Sequence, residues 1–148
     1  MRTPDEIVGH WSRPQTWRWV LFRRPWLQAV LNRHLRSDAP ILHDHEWWNV
    51  TIVLRGRARE WLTNPGWDEG AKPFGRAILP VFRLLRPGRV IFRRATDCHW
   101  LEVPHGEELW TLFITGPKCR EFGYRRHDGS WSRWDQSPDI HDLTRFRK

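Results

Sequence analysis

The chain has little of what staples, anchors or labels a protein. Its two cysteines, Cys98 and Cys119, are well separated and form no Cys-x-x-Cys pair. Free thiols in a reducing compartment are expected, not a disulfide scaffold. No apolar run approaches the roughly 20 residues needed to span a bilayer. The opening Met-Arg-Thr-Pro-Asp-Glu lacks the apolar stretch of a secretory signal. The sequence therefore predicts a cytoplasmic protein with no membrane partner. There is no Gly-x-Ser-x-Gly, no P-loop and no dinucleotide fingerprint, which sets aside serine hydrolase, NTPase and Rossmann chemistry. Internal repeats and low-complexity segments are absent. Lysine is confined to Lys72, Lys118 and Lys148, and Tyr124 is the sole tyrosine.

What is there is aromatic and basic. Aromatic residues make up 14% of the 148 residues, twelve of them tryptophan, which argues against disorder and for one domain with a sizeable core. The net charge is +8, carried almost entirely by arginine. That balance permits nucleic-acid or acidic-substrate binding. The arginines, however, lie in scattered doublets (Arg23-Arg24, Arg93-Arg94, Arg125-Arg126) and not in a block.

Strand signals dominate. Residues 3–11 predict a short N-terminal helix, with Thr3 as N-cap, Pro4 in the first turn and Gly9 ending it. Trp17–Phe22 is aromatic and β-branched, and Trp26–Arg36 carries apolar residues at alternate positions. Beyond the turn at Ser37–Pro40, strands are expected up to Gly56, over Arg57–Leu62, Ile78–Leu85, Val90–Phe92, Cys98–Val103 and Leu109–Thr115, and in a hairpin about Asp128-Gly129. Residues 63–76 read as the longest loop and residues 136–148 as a loose tail. Nine to eleven short strands with regular turn signals predict an all-β sandwich or barrel, one domain over residues 1–148 with its core at about 17–135.

The stretch with most chemistry is Ile41-Leu-His-Asp-His-Glu-Trp-Trp-Asn-Val-Thr-Ile-Val-Leu-Arg-Gly56. Residues i and i+2 of a strand share a face, so His43 and His45 point the same way, with Asn49 and Thr51 following them. Two imidazoles so placed are half of a metal site; the plainer alternative is a turn cap and a buried, hydrogen-bonded histidine. Asp44 and Glu46 have the opposite parity and are expected at the surface or behind the ligands. The opposite face (Trp48, Val50, Ile52, Leu54) is also apolar and calls for a cover, either the Trp-rich N-terminal segment or a second copy in a homodimer. The remaining histidines sit at turns or polar positions, with His34 the one closest to the motif's surroundings. Trp47, Trp61, Trp100 and Trp110 suit core packing or a dimer interface better than a pocket.

With His99 placed behind the turn at Pro87-Gly88, the chain resembles the cupin superfamily of double-stranded β-helix jelly rolls. His43, His45 and Gly56 match its first motif, with Asn49 where a glutamate stands, and His99 matches the histidine of its second. The likeness extends to small bacterial and phage cupins of unassigned activity through Leu35–Asp38, His43–Trp47, Arg86–Gly88, Ala95–His99 and Thr111–Pro117. The resemblance implies an all-β cupin barrel holding a divalent transition metal, iron first, with nickel, zinc, manganese or copper as alternatives. The ligands would be His43, His45 and His99, with Asn49 as a weak fourth. It further implies a dioxygenase-type oxidation of a small anionic substrate, since three neutral imidazoles leave the ion's full charge on the centre. Arg55 or Arg57 would grip the substrate's acidic group, and Tyr124 is the one phenol on hand for proton transfer. Two other functions stay open at this point. One is a non-catalytic cupin that binds a small ligand or a protein partner; the other is a basic nucleic-acid-binding module.

Overall fold

A computed structural model describes residues 2–10, 12–62, 81–125 and 130–136. The chain runs through β1 (Glu6–His10), β2 (Arg13–Arg24), β3 (Leu27–His34), β4 (Leu42–His43), β5 (Asn49–Gly56) and β6 (Ala58–Leu62). It continues through β7 (Val81–Leu85), β8 (Val90–Arg93), β9 (His99–Glu102), β10 (Leu109–Thr115), β11 (Gly123–Arg125) and β12 (Trp131–Arg133). No helix occurs among the described residues, and none is long and apolar enough to cross a membrane. The expected loop at 63–76, the start of the strand at Ile78, the Asp128-Gly129 turn and the tail fall outside the described residues.

The strands form two antiparallel six-stranded sheets, ordered β1-β2-β3-β10-β5-β8 and β12-β11-β4-β9-β6-β7. They face each other across a core of Val53, Ile91 and Leu109 from the first sheet and Ala58, Leu85 and Leu101 from the second, with Val103 just past the end of β9. Gly56 turns the chain between them. Its φ is +84°, and a Cβ there would sit on the Glu108 carbonyl oxygen, so glycine is required on both counts.

Three expectations change. The N-terminal helix is instead strand β1, paired with β2 through Glu6↔Arg18 to His10↔Arg13 with a bulge at Val8/Gly9. A helix confined to residues 3–11 is too short to repay its nucleation, whereas the twelve-residue β2 offers a ready edge. Asp5 fastens the entry, its carboxylate accepting from the backbone N–H of Val20. Second, the His43–Gly56 stretch is not one strand. β4 pairs with β9 and β11 in the second sheet, while β5 pairs with β10 and β8 in the first. Asp44–Trp48 is the crossing between the sheets, anchored by Asp44 N–H to Gly123 O and His45 N–H to Ala95 O. Third, β1 and β2 extend the first sheet beyond β3 and do not lie over the outer face of β5. There Leu54, Val90 and Phe92 stay 49%, 62% and 62% exposed.

Among the described residues, tryptophans stack in pairs. Trp61 stacks on Trp100 at 5.5 Å and Trp19 on Trp110 at 5.6 Å. The Arg33 guanidinium lies over both Trp17 and Trp110, an arrangement that shields ring faces and cation together.

Candidate metal centre

Strand pairing builds the site. His43, on β4, registers directly against His99, on β9, and the crossing that follows β4 returns His45 to the same place. One nitrogen of each of His43, His45 and His99 lies within 4.8 Å of the others. Nitrogens bound to a single ion at the usual imidazole distance are roughly 3–4 Å apart, so the cluster is of the size a transition metal needs. His45 Nε2 and His99 Nε2 are 2.7 Å apart. Two neutral imidazoles can approach so closely only when one donates and the other accepts. Burial is the main reason both are neutral: it holds His45 well below the usual histidine range, with the neighbouring His99 and His43 adding to the shift. His99 is pushed down to about 4, again chiefly by burial, with Arg93 adding to it against the opposing pull of Glu60. Neutral imidazoles are the form that ligates.

Behind His99 stands a carboxylate that the sequence reading passed over. Glu60, on β6, is fully buried, and its Oε1 lies 2.8 Å from His99 Nδ1. The contact runs off the ring's N–H axis, so it is an electrostatic contact and not an aligned hydrogen bond. The same oxygen accepts from Arg93 Nε at 2.6 Å, and Oε2 pairs with Arg83. Burial alone would raise the Glu60 carboxyl, but His99, Arg93 and Arg83 outweigh it and hold it far below the usual carboxylate range. Glu60 is therefore an anion tied to two arginines, suited to orienting and polarising His99. Parity could have found it, since Ala58 and Glu60 share the inward face of β6 while Arg59 and Trp61 face out.

Asn49 is also fully buried, at the start of β5 and opposite Arg93. Its Oδ1 accepts from Arg93 Nη1 at 3.1 Å, and Arg93 Nη1 also donates to Thr51 Oγ1 at 2.7 Å. Tyr124 lies on β11 opposite His43, with ring centroids 6.4 Å apart. Arg55 and Arg57 are exposed at the far end of β5, and Arg57 pairs with Glu107 at the surface. Asp44 is buried, not at the surface. Its carboxylate accepts from the Gly123 N–H and Trp131 Nε1 and pairs with Arg120. Glu46 pairs with Lys118. His34 is held inside, its two ring nitrogens at 3.1 Å from Thr16 Oγ1 and 3.3 Å from Thr111 Oγ1. Burial pushes it down to about 4.

No family model matches the chain, and no curated protein does. Solved structures do. The polyketide cyclase RemF from Streptomyces resistomycificus is 16% identical with a TM-score of 0.58, the match covering 98% of this chain and 84% of that one. A Ralstonia eutropha protein of unknown function with a cupin-like fold is 13% identical with a TM-score of 0.54, covering 82% and 65% of the two chains. A Klebsiella pneumoniae protein with a double-stranded β-helix domain is 14% identical with a TM-score of 0.52, covering 74% and 84%. Two facing antiparallel sheets, a histidine cluster built where their strands cross over, and these structural likenesses agree: the fold of this chain is the cupin double-stranded β-helix.

Proposed function

We propose that the chain binds a divalent transition metal through His43, His45 and His99 and acts with it on a small anionic substrate. The observation that carries this is the convergence of three imidazoles within 4.8 Å, with a buried carboxylate behind one of them. A bound ion of this class would supply Lewis acidity, and, if it is iron, the redox chemistry of a dioxygenase-type oxidation. The chain's own contribution is to keep the donors deprotonated and fixed. Burial removes the competing proton from His45 and His99, and Glu60 holds the back of His99. Three neutral ligands add no negative charge, so an anion is the natural occupant of the positions they leave open. Among the described residues most carboxylates are already paired with arginine, and Arg93 with Arg83 outnumbers Glu60 beside the cluster.

The test is metal analysis of untagged protein, as purified and after anaerobic exposure to Fe(II) or Co(II). About one equivalent per chain is expected, abolished in His99→Ala; uptake below about a tenth of an equivalent overturns the proposal.

A further inference from the structure

Phe113 departs from its surroundings. On the inward face of β10 it stands between Thr111 and Thr115, both buried. Across the strands it registers against Val30 of β3 and Thr51 of β5, which are buried as well. Phe113 itself is only half-buried. A large apolar side chain that turns inward among smaller buried ones, yet is reached by solvent, borders an accessible part of the barrel interior. Its ring lies 6.3 Å from that of His45, tilted by 54°. The second sheet supplies an aromatic wall of its own. Tyr124, registered beside His43, holds its ring 6.4 Å from that of His43. Phe122 meets Tyr124 edge-on at 6.1 Å, and the exposed Trp134 stacks on Phe122 at 5.8 Å. Rings thus step from the surface inward to the histidines. His43 and His45, the two that these rings flank, are half-buried, whereas His99 is buried. The accessible side of the centre is therefore the side that carries Phe113 and Tyr124, one from each of the facing sheets.

From this geometry we infer that the acid taken up at the three histidines is an aromatic carboxylate, its ring held against Phe113 and Tyr124. The inference rests on the metal-binding function proposed above and assigns its substrate class. A small anion without a ring leaves the apolar surface of Phe113 and Tyr124 in water. A ring joined directly to the acid group removes that surface from water, and its electropositive edge can meet a neighbouring ring face. A saturated ring makes the first gain without the second. Phe113 is thereby a specificity-determining residue, which selects among acids and takes no part in holding the ion.

The probes are acetate, benzoate and cyclohexanecarboxylate, titrated into the Co(II)-loaded full chain and followed by the cobalt visible bands. Benzoate is expected to bind about 10- to 100-fold more tightly than acetate, the gain from burying one ring. It should also bind several-fold more tightly than its saturated counterpart, which is the part that ring–ring contact adds. F113A should lower the preference for benzoate over acetate about tenfold. F113L keeps apolar bulk, so it remains informative if F113A does not fold, and in it the advantage of benzoate over cyclohexanecarboxylate should narrow. Equal affinity for benzoate and acetate in wild type overturns the inference. So does a folded variant whose preferences match wild type, because the ring would then sit elsewhere. Wild-type protein that takes up no cobalt overturns the metal proposal and this inference with it. Cobalt uptake with no preference among the three acids overturns only the inference.

Discussion

The two ends of the barrel interior are built from the same strands and could hardly differ more. On β5 the inward residues run Asn49, Thr51, then Val53; on β6, Glu60 lies at one end and Ala58 at the other. β8 places Arg93 beside Ile91, β9 places His99 before Leu101, and β10 runs from Leu109 to Thr111 and Thr115. One end is thus a dry plug of Val53, Ala58, Leu85, Ile91, Leu101, Val103 and Leu109. The other is a buried network of histidines, amide, hydroxyls and one tightly paired carboxylate. The plug can supply most of the burial energy. The polar end costs desolvation for every group and is tolerated because nearly every group is matched.

If that division holds, damage to each end should be felt in a different measurement. The largest effect on folding is expected at the plug. Leu109→Ala removes a side chain with no exposure and should lower unfolding stability by about 4 kcal/mol, read by urea denaturation, while metal affinity corrected for the folded fraction stays put. A comparable loss of metal affinity would mean the two ends are one unit. Next comes acid. His34 is pushed down to about 4 inside the fold, below its value in the unfolded chain, so as pH falls the unfolded chain takes up the proton first. Its contribution is complete above about pH 6.5 and drains away towards pH 4, roughly 3 kcal/mol in all. In His34→Gln the slope of stability between those limits should flatten; an unaltered slope would assign the acid sensitivity elsewhere. Smallest in energy is Glu60→Gln, which keeps the shape but removes the anion. Metal affinity should fall about 10- to 100-fold in a chelator competition, with the plug intact by hydrogen exchange. An unchanged affinity would reduce Glu60 to a structural counter-charge for Arg93.

What could be read from the sequence divides along the same line. Aromatic and β-branched runs bounded by turn residues located β2, β5 and β10, and alternation of apolar residues located β3, because strands leave these signatures whatever they pack against. The parity of His43 and His45 and the placing of His99 led to the cluster. β1 was misread because a short segment takes the structure of its neighbour, and no residue within Thr3–Trp11 announces the long edge of β2. The break between β4 and β5 was invisible because a chain that changes sheets keeps its inward parity. Arg93 read as half of one scattered arginine doublet; only the register Asn49↔Arg93 and the facing Glu60 show why it is buried. The chemistry of Asn49 depends on that partner 44 residues away, and so could not be had from local pattern.

The crossing at Asp44–Trp48 has a consequence for motion. His43 and His99 belong to one sheet, while His45 rides on the segment that leaves it. A ligand gripping all three would act as a latch on the crossover, converting a hinge between two layers into a fixed corner. Breathing of the layers and release of the ion would then be a single event, with the lifetime of one setting the lifetime of the other.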